Sequence, residues 1–291
     1  MEEGLVSPKV RDFLECIYKY GNPWGGSRNR RDEWAKDTEI TQYNPSHEFL
    51  YHVGCVGSYD TRAQDMAKAL SDVLLKSGVS FGILGAKENC DGNEVNQLGE
   101  KGLFELLAKS NIQLFKDLKV RKIVTLSPHA YNAMKNEYPK FGGNFEVMHY
   151  TQLLRDLIKS GKLELSKGFS AKLRVTYHDP CFLGRWNREY TAPREILNAI
   201  PNVELVEMGR NKENAFCCGG GSGNFYTDFL GGTENSPSRV RIKEAYETDA
   251  KILAVSCPSC LTMLEDAIKT EGLEGKMAVK DISEIVKDVI F

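Results

Sequence analysis

The chain of 291 residues is 41% hydrophobic and 27% charged, the balance of a globular protein long enough to bury its own core. Its formal net charge of -2 excludes a global basic field, and with it a nucleic-acid partner held by charge. No apolar run reaches the roughly 18 residues of a membrane span, and Met1-Glu2-Glu3-Gly4 is acidic with no apolar stretch of a secretory leader behind it, so the expectation is a cytoplasmic protein that can dock on a membrane-bound complex.

Residues 1–48 read as a polar lead-in. Val10, Phe13, Leu14 and Ile17 fall at helical spacing and predict a helix over 6–20. Gly21-Asn22-Pro23-Trp24-Gly25-Gly26 breaks it, and the charged run from Arg28 to Lys36 predicts a second short helix. From there the chain repeats itself. A strand at Phe49–Cys55 is matched by one at Leu173–Cys181, and both carry Tyr-His-x-x-Cys. Helices are predicted over 61–77 and 192–200. A Gly-containing cysteine turn follows each, Asn89-Cys90-Asp91-Gly92 and Phe216-Cys217-Cys218-Gly219. Helices over 98–118 and 238–248 lead to apolar strands over 122–126 and 251–255. These end in Ser127-Pro128-His129-Ala130 and Cys257-Pro258-Ser259-Cys260, and helices over 131–136 and 261–270 follow. The predicted class is α/β with two pseudo-repeated lobes and mostly parallel sheets. The predicted division is 1–48 as lead-in, 49–150 as first lobe and 151–291 as second lobe, and ligand groups are expected at the carboxyl ends of the strands.

Five of the eight cysteines lie between 181 and 260. Clustered cysteines in a cytoplasmic chain point to metal ligation or catalysis before structural disulfides. Cys257 and Cys260 form a Cys-x-x-Cys turn opening a helix, whose amino terminus favours thiolates. Cys217 and Cys218 sit in a Gly-rich loop that can bend close to a bulky inorganic group, and Cys181 is a fifth soft donor. Thiolates select zinc, copper(I) or iron–sulfur clusters. A four-cysteine zinc site with a spare thiol, or a redox dithiol in Cys257 and Cys260 alone, are the competing readings.

The pattern Cys181…Cys217-Cys218-Gly219…Cys257-Pro258-Ser259-Cys260 resembles the cysteine-rich CCG domain of heterodisulfide reductase and of the related disulfide reductase-like iron–sulfur oxidoreductases. The resemblance runs from about residue 49 to 290, and Tyr20-Gly21-Asn22-Pro23-Trp24-Gly25 resembles that group's linker. It implies one noncubane 4Fe-4S cluster held by Cys181, Cys217, Cys218, Cys257 and Cys260 in the second lobe. It also implies thiol, disulfide or other sulfur-substrate redox chemistry. The first lobe departs from the motif: Asp91, Ser127 and Ala130 replace cysteines, leaving Cys55 and Cys90, so no cluster is expected there. The chain shows no Cys-x-x-Cys-x-x-Cys-x-x-x-Cys run, so a separate ferredoxin-like cubane subunit and further heterodisulfide reductase-like subunits are the expected partners. A structural or docking subunit with zinc or a redox-inert cluster, and a quinone-linked electron-transfer subunit, are the alternatives.

Cys55 and Cys90 read either as a thiol pair facing substrate or as packed small hydrophobes. Cys16 reads as structural. His178, and His52 in the matching place, read as candidate proton donors or as groups that fix a turn. Asp179 reads as a turn former beside Pro180. His129 and His149 read as packing or surface residues. Arg185, Trp186, Asn187 and Arg188 read as a pocket lining, a docking site or a solvated loop. The glycines at 219–221 and 223 lack the lysine of a phosphate-binding loop and are better explained by close approach to a metal group.

Overall fold

The computed structural model describes residues 6–165 and 167–290; Met1 to Gly4, on which the leader reading rests, lie outside them. Helix α1 (Pro8–Tyr20) opens with Ser7 accepting from the Val10 N–H at 3.4 Å and Pro8 in the first turn. It closes at Gly21, whose φ of 72° lets its N–H reach the Ile17 carbonyl. Arg28–Lys36 does not form the expected helix but two 3-10 turns, Arg28–Arg30 and Glu33–Ala35. Only Trp34 and Ala35 there give an apolar buried face, too little to hold a longer helix, and Arg31 turns into the interior instead.

Two parallel four-stranded sheets follow among the described residues. The first contains β1 (Phe49–His52), β2 (Phe81–Gly82), β3 (Lys122–Thr125) and β4 (Glu146–His149) in the order β2-β1-β3-β4. The second contains β5 (Leu173–Tyr177), β6 (Val203–Leu205), β7 (Ile252–Val255) and β8 (Ala278–Asp281) in the order β6-β5-β7-β8. The strand order is the same in both, so the pseudo-repeat read from the cysteine spacing is a repeat of topology. Register repeats too: His52 pairs with Thr125, and Tyr177 with Ala254. The loop leaving the first strand of each sheet therefore lies beside the loop leaving the third.

The crossovers of the first sheet carry α2 (Gly54–Tyr59), α3 (Thr61–Lys76), α4 (Asn93–Gln97), α5 (Lys101–Asp117) and α6 (Pro128–Asn132), and α7 (Tyr150–Lys159) follows β4. Those of the second carry α8 (Thr191–Ala199), α9 (Asn224–Thr227), α10 (Pro237–Tyr246) and α11 (Pro258–Thr270), and α12 (Ile282–Ile290) follows β8. Both faces of β1 are buried, which is why the strand is continuously apolar. Leu50 packs with Phe13, Ile17, Phe104 and Phe115 on one face. Phe49 and Tyr51 face the other way, into a core that continues into the second lobe through Leu253, Val255 and Ile285. Helix α3 seals this shared core: Arg62 pairs with Glu265 of α11 at 2.7 Å and with both oxygens of Glu284 of α12 at 2.6 and 2.9 Å.

A second tie crosses the shared core. Asp281 begins α12 as a capping box, accepting from the Ser283 N–H at 2.8 Å while its own N–H donates to Glu284 at 2.8 Å. Its carboxylate also receives the hydroxyl of Tyr150 from α7, at 2.9 and 2.8 Å. Burial pushes the Asp281 carboxyl up to about 7; the Ser283 hydrogen bonds oppose this and the nearby Glu284 adds to it. A carboxyl raised on folding binds more protons in the folded state between its two values, so its ionisation destabilises the fold as pH rises through that window. Urea unfolding of wild type and Asp281→Asn at several pH values checks this. As pH falls from about 7 to about 4, the wild type should gain up to roughly 4 kcal/mol relative to the variant. Parallel pH profiles would show that the carboxyl is not raised.

Candidate metal centre

In each sheet the chain leaves the first and third strands toward opposite sides, which opens a crevice at their carboxyl ends. The second sheet delivers its cysteines to that crevice. Cys181 follows β5, Cys257 follows β7, and Cys260 lies in the first turn of α11. Cys217 and Cys218 come from the loop before α9. The five sulfurs form a continuous hydrogen-bonded chain. Cys181 and Cys218 donate to Cys217, and Cys260 donates to Cys218 (3.3 Å) and to Cys257.

Local structure fixes each donor. Gly219 sits at φ 85°, a left-handed value that glycine adopts without strain, and its N–H donates to Cys217 Sγ at 3.2 Å. A side chain at Gly220 would come within 3.0 Å of Met263. Cys257 is the amino-terminal cap residue of α11, with Pro258 behind it, and its sulfur caps no backbone group. Burial would raise its thiol, but the Cys260 thiol, His129 and the Cys260 N–H outweigh burial and bring it down to about 5. The thiol of Cys217 is also lowered, first by the thiols of Cys181 and Cys218 and then by the Gly219 N–H, against the effect of burial.

His178 lies against this sulfur chain. One of its ring nitrogens, Cys218 Sγ and Cys260 Sγ all lie within 4.8 Å of one another. Arg241 Nε donates to His178 Nδ1 at 3.1 Å, and burial, with that guanidinium, lowers the ring to about 3. A neutral ring accepting at Nδ1 carries its proton on Nε2, so His178 offers a fixed N–H rather than a spare proton. Among the described residues, His178 Nε2 and Arg241 Nη2 are buried without a hydrogen-bond partner. Asp179 does not orient His178; it takes Arg194 at 2.7 and 2.9 Å and the Lys212 N–H at 2.7 Å. Arg185 donates to the Ala215 carbonyl at 2.6 Å and Asn187 to the Phe182 carbonyl at 2.7 Å, so both fasten the loop after Cys181, while Trp186 stands exposed. Five soft donors, two of them biased to thiolate, a glycine loop and unpartnered buried donors fit a sulfur-ligated metal group.

The first sheet builds the same crevice with other residues. Ser127, in the place of Cys257, accepts from the His129 N–H at 3.2 Å and caps α6. Asp91, in the place of Cys218, accepts from the Asn93 N–H at 2.8 Å and turns the chain into α4. Ala130, in the place of Cys260, is packed in the core. Positions that present sulfur in one lobe are spent on capping and packing in the other. Cys90 keeps the geometry of Cys217, with the Gly92 N–H donating to its sulfur at 3.4 Å and Gly92 at φ 81°. Cys55 lies in α2, a helix that two glycines hid from the sequence pattern. Glu88 caps it, receiving the Val53 and Gly54 N–H groups at 3.1 and 2.9 Å.

His129 joins the two crevices, which overturns its reading as a packing or surface residue. Its Nδ1 forms a short hydrogen bond with Glu94, and its ring also hydrogen-bonds Cys257. Glu94 in turn accepts from the Gly223 N–H in the second lobe at 2.8 Å. Burial lowers the basicity of His129, but Glu94 and Cys257 raise it well above the ordinary value, so this imidazole is the one that holds an extra proton. Sequence could not pair it with Cys257 because the contact crosses from one lobe to the other. His149, by contrast, is buried, bonded to Thr151 at 2.8 Å and lowered to about 3 by burial. His52 is buried near Glu88, and Cys16 lies under Gly25.

Comparison with known proteins agrees with the repeat. The model of a cysteine-rich domain named CCG matches residues 49–135 and again 175–265. A probable iron-sulfur-binding oxidoreductase, FadF, of Bacillus subtilis (strain 168) is 40% identical over 98% of this chain and 41% of its own length. An EtfAB:quinone oxidoreductase of Syntrophomonas wolfei is 36% identical over 91% of the chain and 38% of its own length. In Methanosarcina barkeri, one of the subunits of the dihydromethanophenazine:CoB–CoM heterodisulfide reductase is 33% identical over 97% of the chain and 68% of its own length. The chain thus spans about two fifths of the first two of these relatives. A hypothetical protein from Helicobacter pylori shares the fold, with a TM-score of 0.59 and 11% identity over 99% of this chain and 55% of its own. With two matches to the domain and a heterodisulfide reductase component among its relatives, the chain belongs to the cysteine-rich CCG domain family.

Proposed function

We propose that this chain is an iron–sulfur oxidoreductase component of a heterodisulfide reductase-like complex. In this reading one 4Fe-4S cluster of the noncubane type couples electron transfer to thiol, disulfide or related sulfur chemistry. The observation that carries it is the convergence of Cys181, Cys217, Cys218, Cys257 and Cys260 in one crevice, with Asp91, Ser127 and Ala130 diverted to other work in the matching crevice. The names of the Bacillus and Methanosarcina relatives support it. The division into lead-in 1–48, first lobe 49–150 and second lobe 151–291 belongs to the same reading.

The five cysteines would hold the cluster, which when bound supplies single-electron transfer and an iron open to a sulfur ligand. The rest is the work of this chain. Gly219 donates to Cys217 and His129 hydrogen-bonds Cys257, contacts that tune a sulfur-ligated centre through its ligands. Arg241 fixes the His178 ring, so His178 serves here as a positioned hydrogen-bond donor beside Cys218 and Cys260. Electrons would arrive from a ferredoxin-like partner carrying cubane clusters; a relative in Chromohalobacter salexigens is named a probable membrane-anchored ferredoxin. No helix among the described residues is long and apolar enough to cross a membrane, so contact with one would run through a partner or another segment. A quinone-linked electron path is the second reading, supported by the name of the Syntrophomonas relative.

Serine variants test the ligand assignment. Cys218→Ser and Cys257→Ser should lose most of their iron and visible absorption, while Cys90→Ser should keep both. Unchanged iron in Cys218→Ser would remove it from the ligand set. For the chemistry, a small thiol added to the oxidised protein should alter its EPR spectrum. A spectrum indifferent to thiols, in a protein that reduces a soluble quinone, would favour the second reading.

A further inference from the structure

The five-sulfur crevice leaves one pair of thiols unexplained. Cys55 and Cys90 are both buried, and Cys90 hydrogen-bonds to Cys55. The second partner of Cys55 is a buried charge: Arg31 Nη2 donates to Cys55 Sγ at 3.2 Å. Arg31 is 2% exposed and is held by Glu88 at 3.1 Å, which the backbone N–H groups of Val53 and Gly54 hold in turn. A thiol packed as a small hydrophobe has no need of a buried guanidinium, whose desolvation is costly without anionic partners. Glu88 is one such partner, and the sulfur is the other. Cys90 has its own donor, the Gly92 N–H at 3.4 Å. The two sulfurs therefore have different environments, one beside a cation and one beside a neutral amide.

Both line an enclosed cavity of about 30 Å3, whose wall on the far side is Pro258 and Ser259. This is the first turn of α11, the turn that carries Cys257 and Cys260. Phe13, Ile17 and Pro23 of the lead-in close it. The space holds about two waters and no bulky group.

We propose that Cys55 and Cys90 are a redox-active dithiol/disulfide pair, with Cys55 as the nucleophile toward a small disulfide-class sulfur compound and Cys90 as the resolving thiol. The Cys55 thiolate attacks one sulfur of the substrate, forming a mixed disulfide and expelling the other sulfur as a thiolate. Cys90 then gives its proton to the departing second thiolate and closes the Cys55–Cys90 disulfide. The substrate gains two electrons and leaves as two thiols, and the pair loses two electrons. Regeneration takes two electrons and two protons, and here the proposal rests on the function proposed above, which places the electron supply in the adjoining lobe. Arg31 favours the thiolate at Cys55, and the thiol of Cys55 is accordingly lowered while that of Cys90 is raised.

The test uses a limiting amount of methyl methanethiolsulfonate, a compact sulfur electrophile, on anaerobic, iron-loaded protein, followed by peptide mapping. In wild type, Cys55 takes the methylthio group and Cys90 displaces it as methanethiol, so the map should show a Cys55–Cys90 disulfide. Cys90→Ser should stop at methylthio-Cys55, and Cys55→Ser should leave Cys90 unmodified. Untouched thiols in wild type, or separate methylthio groups on both without a cross-link, would overturn the proposal. Iron content and visible spectrum of the same samples are read independently. A cross-linked pair in iron-free protein would reject the function proposed above and leave the thiol pair standing.

Discussion

A hydrogen-bonded chain from Gly223 through Glu94 and His129 to Cys257 crosses between the lobes, and the site depends on it. Its first-lobe members are placed by the folding of that lobe. Glu94 is in α4 and His129 in α6, each in the position that the repeat gives to a residue just past a cysteine or its replacement. Its second-lobe members are a loop N–H and a sulfur. A lobe folded alone would leave Glu94 buried without its imidazole or its amide, so the two crevices are set in register by the need to satisfy one carboxylate. The ties of Arg62 and of Tyr150 to Asp281 act on the same interface from the far side of the shared core.

Divergence within the duplication then becomes intelligible. Both lobes inherit a crevice at the reversal of strand order, and both inherit glycines in left-handed conformation that turn a sulfur toward a backbone N–H. In the second lobe every cysteine position remains sulfur. In the first, serine at a helix amino terminus and aspartate before α4 satisfy backbone groups that cysteine leaves free. The lead-in fills the remaining space by bringing Arg31 beside Cys55. Asn22 holds that segment in place, accepting from the Trp24 and Gly26 N–H groups at 3.1 Å and donating to the Gly26 carbonyl at 2.8 Å.

The parts of this account that sequence disclosed are those carried by short-range pattern. The Tyr-His-x-x-Cys and Cys-x-x-Cys units, the alternation of apolar strands with helices, and the near-equal cysteine spacing all lie within single crossovers. β2, two residues long, and β6 have too little length for periodicity to register. α2 escaped because its glycines, one of which leaves only 2.7 Å to Leu126 for any side chain, read as loop. The contacts of His129 with Cys257 and of Arg31 with Cys55 join residues that no local rule relates. His178 was singled out for its place before Cys181, yet what defines its state is Arg241, on a helix more than sixty residues away.

The central claim is that the second lobe holds one iron–sulfur cluster and the first lobe none. Iron and acid-labile sulfide content of anaerobically prepared protein tests it most directly. About four irons and four sulfides per chain are expected. One zinc with no sulfide, or about twice that iron and sulfide, would contradict it.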